Sequence, residues 1–292
     1  MSNSYRDIRT VSVFSGAGGL DIGAIEADAH IIWANDMMKE ACATYRMNIG
    51  SHIVCGDINE KMNELNNISD ISLVIGGPPC QGFSVAGKMD ANDKRSQLIW
   101  SYLSVLSLLR PSAFIMENVK ALGTLQKWES TRNLLIQSMR DLGYSVNYIV
   151  LNAKDFDVPQ SRERIFIVGF RGDPSLIPEL KEMIAPYRKP AKSLREILLM
   201  LDKAGTGNNK DLCHAKITLA QKPVLRKTPY AGMIFNGMGR PLHLYTQIGN
   251  AVPCNLAKAV VKMVIDVLKG KKQLKYATPS IHIPFVKNIE GA

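Results

Sequence analysis

The chain has 292 residues, 46% hydrophobic and 21% charged, which is the composition of a globular protein that can bury a full core. Its net charge of +10 is typical of proteins with an anionic partner such as nucleic acid, although a generically basic soluble protein has the same balance. The five cysteines never fall as C-x-x-C, and no apolar run approaches the ~18 residues of a membrane span, so we expect a cytoplasmic protein without a disulfide framework, metal or membrane anchor.

Short β-rich segments alternate with helical patterns through residue 170. The seven predicted strands are residues 10–14, 30–34, 52–55, 71–75, 113–116, 145–151 and 165–170. The predicted helices between them are residues 19–29, 37–47, 96–109 and 131–142. This alternation predicts an α/β fold in which helices cover both faces of a mostly parallel sheet.

The remainder of the chain has a different texture. Residues 171–244 are rich in proline and glycine and predict a small irregular region, with order returning at Gln247. Residues 255–268 carry apolar side chains at helical spacing and predict a last helix packed on the sheet. We therefore predict a catalytic domain over 1–170, a second region over 171–244, and a segment over 245–292 that returns to the first domain.

A glycine-rich loop, F-S-G-A-G-G-L-D at 14–21, joins the first strand to the first helix. Glycines allow close backbone approach, and a helix start offers free N–H groups, so a nucleotide or nucleoside site is one interpretation. Asp21 stands where a dinucleotide site would have its third glycine, and its charge would repel a pyrophosphate. Asp36 ends the second strand, where an acid commonly accepts hydrogen bonds from ribose hydroxyls, and Asp57 follows the third strand as a second acid on the same rim. The alternative is a tight turn with solvated acids.

The segment GGPPCQGFS at 76–84 follows the fourth strand and presents Cys80 at the carboxyl edge of the sheet. Two prolines and a glycine stiffen this turn, which favours display of a nucleophile over burial. A thiolate is stabilised by nearby cations, and Arg162 and Arg164, just before the seventh strand, are candidates for that role. The alternative is that both arginines are solvent-exposed side chains at the edge of the sheet. Glu117 ends the fifth strand as a candidate acid, or as a helix cap.

Together, these segments resemble the cytosine-C5 DNA methyltransferases. The matching blocks are F-S-G-A-G-G at 14–19, G-P-P-C-Q at 77–81, E-N-V at 117–119, Q-S-R-E-R at 160–164 and Q-I-G-N-A-V-P at 247–253. The resemblance implies a Rossmann-like fold that binds S-adenosyl-L-methionine, with a small target-recognition domain.

The resemblance also implies roles by position. The implied cofactor contacts are Phe14, Gly16, Ala17, Gly18, Gly19, Leu20, Asp36, Met37, Asp57, Ile58, Pro78, Asn250, Ala251 and Val252. The implied catalytic residues are Cys80 as nucleophile at cytosine C6, Glu117 as acid at N3, Asn118 as positioner, and Arg162 and Arg164 as anion and base contacts. The implied DNA contacts are Gln81, Ser84, Gln160, Arg162 and Arg164.

One departure separates the sequence from the family pattern. A block resembling R-x-L-T-x-R-E-x-A-R-L-Q-G-F-P is absent before Gln247, so the recognition region is short. The first hypothesis is a monomeric enzyme that methylates double-stranded DNA in a bacterial cytoplasm, beside a restriction endonuclease acting on the same site. A cofactor- and DNA-binding remnant without activity, or an RNA (tRNA) methyltransferase, are the alternatives.

Overall fold

Seven strands form one sheet in the computed structural model, which describes residues 7–79, 98–199 and 241–276. All seven predicted strands are confirmed. They are β1 (Ile8–Val13), β2 (Ala29–Asp36), β3 (Ile53–Cys55), β4 (Leu73–Gly76), β5 (Ala113–Val119), β6 (Tyr144–Asn152) and β7 (Glu163–Arg171).

The strand order is β3-β2-β1-β4-β5-β7-β6. Pairs among the first five strands are parallel, whereas β7 runs antiparallel to both β5 and β6. The prediction of a mostly parallel sheet is therefore confirmed, with one reversed strand. The order changes direction between β1 and β4, so the carboxyl ends of these strands open into the crevice where α/β sheets bind ligands.

Helices lie on both faces of this sheet. The helices of the described residues are α1 (Gly19–Ile25), α2 (Lys39–Asn48), α3 (Ile58–Lys61), α4 (Leu98–Leu109), α5 (Lys120–Thr124), α6 (Glu129–Asp141), α7 (Leu180–Ile184), α8 (Leu194–Leu199), α9 (Pro241–Asn250) and α10 (Cys254–Leu268). Among the described residues, no helix has the length and apolar character that crossing a membrane requires.

Two apolar clusters make the core, one on each face of the sheet. Alternate residues of β4 supply both, since Leu73 and Ile75 join the cluster under α1 and α10 while Val74 joins the cluster under α4 and α6. Strands buried on both faces read as continuous apolar runs, which is why residues 71–75 predicted a central strand.

Two element boundaries differ from the predictions for physical reasons. The helix predicted over 19–29 ends at Ile25, because Asp28 takes a left-handed φ of 70° and Ala29 already pairs with Ile8 in the sheet. The fifth strand continues to Val119 instead of ending at residue 116, because β7 pairs with it beyond the end of β4. Glu117 and Asn118 therefore lie within a strand.

The region after β7 contains short helices that the sequence did not predict. α7 and α8 lie within the segment interpreted as irregular, and α9 begins at Pro241, six residues before the expected return of order at Gln247. Proline is favoured in a first helical turn, where its fixed φ suits the helix and its missing N–H costs nothing. Most of the recognition region, 200–240, lies outside the described residues, and the domain division remains a prediction.

Candidate active site

The glycine loop after β1 is clamped to the end of β2 by one carboxylate. Asp36 Oδ2 accepts a hydrogen bond from the Gly16 N–H at 2.8 Å, and Oδ1 accepts one from the Met38 N–H at 2.8 Å. Burial raises the pKa of Asp36, and these two backbone donors oppose the shift by favouring the charged form. Each oxygen keeps a further lone pair, so Asp36 can still accept a hydrogen bond from a hydroxyl group of a ligand.

Open space borders this loop at Gly16 and not at the following glycines. A Cβ built on Gly16 would meet no atom within 4 Å, whereas one on Gly18 would lie 2.1 Å from Ile49 and one on Gly19 would lie 2.6 Å from the Val252 carbonyl oxygen. Gly16 also has a φ of +56°, a conformation that side chains disfavour. The loop therefore offers its backbone to a ligand at Gly16 and packs against protein beyond it.

The other predicted cofactor residues on this rim have distinct environments. Met37 is 67% exposed beside Asp36, and Asp57 caps α3 by accepting a hydrogen bond from the Asn59 N–H at 2.9 Å. Ile58 and Leu20 are buried in the core, so they can offer a ligand only their backbone. This rim therefore presents an open glycine turn, an acid and an exposed apolar side chain.

Residues 251 and 252, from the C-terminal part of the chain, lie against the glycine loop. Ala251 Cβ and the Val252 backbone lie against Gly19, and Gln247 Oε1 accepts a 2.8 Å hydrogen bond from the buried Thr44 hydroxyl on α2. Asn250 is exposed at the end of α9. The structure thus places Ala251 and Val252 beside the loop.

A buried acid and two arginines lie where β5 and β7 pair. Glu117 is 8% exposed, and its Oε1 lies 2.9 Å from Arg164 Nε. Burial raises the pKa of Glu117, while the charges of Arg164 and Arg162 oppose the shift. Glu117, Arg162 and Arg164 therefore lie close together at this edge of the sheet, with Arg164 already inside β7.

Arg162 keeps unused hydrogen-bonding capacity in this cluster. Its Nε and Nη2 are buried and have no partner among the described residues. Burial, followed by repulsion from Arg164, lowers its pKa to about 10, so it stays charged at neutral pH. A buried guanidinium with free donors costs free energy unless a ligand acceptor meets it, which suits an anion or a base carbonyl.

The turn that leads to position 80 is held against the same acid. Asn118 Nδ2 donates to the Pro78 carbonyl at 3.2 Å, while its Oδ1 accepts from the Val119 N–H at 2.8 Å. A Cβ on Gly77 would lie 3.1 Å from Glu117 Oε2, so this turn passes directly over the carboxylate. Asn118 thus holds this turn against the strand that carries Glu117.

The remaining predicted site residues either lie outside the described residues or make only local contacts. Cys80, Gln81 and Ser84 lie outside the described residues. Gln160 is half-buried, and its backbone N–H donates to the Val158 carbonyl. Gly77 was missed, and the doubled glycine that ends an apolar strand is the signal that could have identified it. No group of three or more metal-ligating side chains occurs within the described ranges.

The reason given for excluding a pyrophosphate at the glycine loop was wrong. Asp21 is fully buried behind the loop, where its Oδ1 accepts a 2.9 Å hydrogen bond from the Tyr45 hydroxyl, and Tyr45 in turn contacts His52 Nε2 at 3.1 Å. Burial raises the pKa of Asp21 to about 7, so it presents no full charge to a ligand at the loop. The sequence showed an acid at that position but not its direction.

Comparisons with known proteins agree with the resemblance. The family model for C-5 cytosine-specific DNA methylases matches residues 8–237. The type II methyltransferase M.FnuDI of Fusobacterium nucleatum is 37% identical over 213 residues, 71% of this chain and 60% of that protein. M.NgoFVII of Neisseria gonorrhoeae is 38% identical over 174 residues, 59% of this chain and 46% of that protein. The chain thus spans about half the length of these relatives.

Solved structures match over more of the chain at lower identity. A prophage-encoded Escherichia coli protein assigned to the DNA modification methyltransferases aligns with a TM-score of 0.66 and 21% identity, over 90% of this chain and 99% of that one. The Dnmt2 methyltransferase of S. pombe aligns with a TM-score of 0.59 and 18% identity over the same shares. These likenesses establish the α/β methyltransferase fold. Because the family model covers most of the sequence, including both strands of the acid–arginine cluster, the chain belongs to the C-5 cytosine-specific DNA methylase family.

Proposed function

We propose that this protein transfers a methyl group from S-adenosyl-L-methionine to C5 of a cytosine flipped out of double-stranded DNA. The observation that carries the proposal is the buried Glu117, paired with Arg164 at 2.9 Å and lying under the turn that leads to Cys80. A carboxyl group with a raised pKa and a cysteine thiol, here three residues after Gly77 in the sequence, are the two groups needed to activate a pyrimidine ring.

In this proposal, Cys80 and Glu117 act on opposite sides of the cytosine ring. The Cys80 thiolate forms a bond to C6 while Glu117 delivers its proton to N3, so C5 becomes the nucleophilic carbon of an enamine. After C5 has gained the methyl group, loss of the C5 proton to a base, return of the N3 proton to Glu117 and departure of the thiolate restore the aromatic ring. Burial favours the protonated form of Glu117 that this step requires.

The arginines and Asn118 hold these groups in place. Arg164 fixes the Glu117 carboxyl, and the free donors of Arg162 are available to an acceptor on the base or its phosphate. Asn118 bonds Pro78 and thereby fixes the turn against the acid. A base inside a duplex cannot reach this buried edge, so extrusion must precede chemistry, at a cost of a few kcal/mol that pocket contacts recover.

The cofactor would occupy the open side of the glycine loop. Gly16, Asp36, Met37 and Asp57 would hold it, with Ala251 and Val252 supporting the loop from behind. When bound, S-adenosyl-L-methionine supplies an electrophilic sulfonium methyl group. The exposed Met37 offers an apolar surface to its adenine, and the remaining lone pairs of Asp36 suit its ribose hydroxyls.

The proposal is tested by incubating the full chain with tritiated S-adenosyl-L-methionine and mixed-sequence plasmid DNA. We expect label in DNA, its loss in Cys80→Ser, and 5-methylcytosine at defined sites by bisulfite sequencing. Glu117→Gln keeps the size of the side chain but cannot deliver a proton, so we expect turnover to fall by roughly 10²–10⁴-fold while the cofactor still binds in calorimetry.

Two outcomes would contradict the proposal. Cofactor binding without label in any DNA would indicate a remnant that lacks activity, and label in tRNA but not in DNA would indicate an RNA enzyme. We also propose that the protein acts as a cytoplasmic monomer beside a restriction endonuclease that recognises the same site. Gel filtration, and protection of methylated plasmid from cleavage, test these points.

A further inference from the structure

A basic cleft lies next to the acid–arginine cluster, on the connection between β6 and β7. It has a volume of about 530 Å³, and its charged lining residues are Lys154, Asp155, Arg188 and Lys192. Three of these side chains are cationic and one is acidic. Gln160 and Ser161 also line the cleft and immediately precede Arg162, so the cleft adjoins the Glu117 site along the chain.

The two walls of the cleft are fixed to each other through their backbones. The Lys189 N–H donates to the Asp155 carbonyl at 2.9 Å, and the Ala191 N–H donates to the Lys154 carbonyl at 3.1 Å. Lys192 follows Ala191 directly, so these bonds hold the positions of Lys154 and Lys192 on opposite walls. Their separation is therefore set before any ligand arrives, which reduces the entropic cost of binding.

The charges within the cleft are unevenly neutralised. Arg188 lies 3.3 Å from Asp155 and above the ring of Phe156, and is thus already paired. Lys154 and Lys192 are exposed and form no ion pair within the described part of the chain. Glu196 accepts the Ser193 N–H at 2.6 Å in a capping box, and the charge of Lys192 also acts on this carboxylate without forming an ion pair with it.

We propose that this cleft binds backbone phosphates of the DNA strand whose cytosine enters the Glu117 site, with Lys154 and Lys192 as its two phosphate contacts. This inference rests on the proposed function and names a contact surface for it outside the base pocket. The cleft is open and its free charges are lysines, which bind phosphate as point charges without reading sequence. It positions the strand, and it leaves sequence choice to other residues.

The test measures salt dependence with a fluorescein-labelled mixed-sequence duplex, using anisotropy between 50 and 200 mM NaCl. Each phosphate contact contributes about −0.9 to the slope of log K against log salt, so the double variant Lys154→Gln/Lys192→Gln should flatten that slope by about 1.8. Its affinity at 100 mM salt should fall at least about tenfold. Lys181→Gln, an exposed lysine on α7, is the control with the same chemical change and should match the wild type.

The outcomes separate this inference from the proposed function. If the wild type binds DNA and the double variant has the same slope of log K against log salt, the proposed phosphate contacts are refuted, whereas the proposal of DNA methylation is unaffected. No binding of DNA by the wild type overturns both. If the wild type binds a structured RNA more tightly than the DNA duplex, and the same two substitutions abolish that binding, then DNA is not the ligand of the cleft. A retained circular-dichroism spectrum in the double variant confirms that weakened binding is not loss of folding.

Discussion

Asp21→Asn should make the protein more stable at alkaline pH and leave it nearly unchanged in acid. Burial raises the pKa of Asp21 from 3.8 to about 7, and Tyr45, Ser12 and Asp36 are the polar groups that face it. The unfolded chain releases this proton near pH 4 and the folded chain near pH 7, so between those values the unfolded state binds fewer protons and stability falls as pH rises. A shift of this size corresponds to ~4 kcal/mol in total, of which ~3 kcal/mol lies above pH 5.

Asparagine does not titrate, and its amide oxygen can still accept the Tyr45 hydroxyl. The free energy of unfolding of Asp21→Asn, minus that of the wild type, should therefore increase by up to ~3 kcal/mol between pH 5 and pH 8. Urea unfolding followed by circular dichroism at four pH values measures this difference, with the exposed Asp141→Asn on α6 as control. A difference that is constant with pH would show that folding does not shift the pKa of Asp21, and one that falls as pH rises would show that the folded protein stabilises its charged form; either result would refute the reasoning.

Three further substitutions test how the site is held. Asn118→Ala removes the bond to Pro78 and leaves a buried carbonyl without its donor, so we expect a loss of about 1–3 kcal/mol in urea unfolding, together with slower turnover; an unchanged rate would argue against a positioning role. Gly19→Ala places a Cβ 2.6 Å from the Val252 carbonyl and should cost about 1–3 kcal/mol of stability. In Gly16→Ala the new Cβ meets open space, so the free energy of unfolding should fall by only about 1–2 kcal/mol because of the left-handed φ. The same substitution should weaken cofactor binding measured by calorimetry. Equal effects of the two alanine substitutions on cofactor affinity would contradict the assignment of the open side.

The linear sequence was a good guide to the strands because apolar runs and their glycine or proline boundaries are local signals. β4 is an example, since Leu73 to Ile75 is apolar throughout and Gly76 follows. The acid–arginine site was also predictable in part, because Glu117, Arg162 and Arg164 stand next to strands. The short helix α9 was not, since its start at Pro241 lies in a glycine-rich stretch that predicts a loop.

The direction in which a side chain points depends on contacts distant in sequence. Asp21 lies beside a ligand loop in the sequence, yet it faces Tyr45, 24 residues away, inside the core. Likewise Gln247 bonds Thr44 across 203 residues, an interaction that no local pattern encodes. Both are hydrogen bonds of buried polar groups, which must find partners because leaving them unpaired costs about 1–3 kcal/mol each.

The residue types of the site and their order can be identified from the linear sequence, because the chemistry of a thiol, an acid and two arginines does not depend on where the chain takes them. Which of these groups lie in contact depends on the tertiary structure. The reversed strand β7 brings Arg164 to 2.9 Å from Glu117, and the Asn118–Pro78 bond holds the turn above that acid. These contacts come from strand pairing and burial, which set the pKa of Glu117 and of Asp21 through desolvation that a linear sequence cannot express.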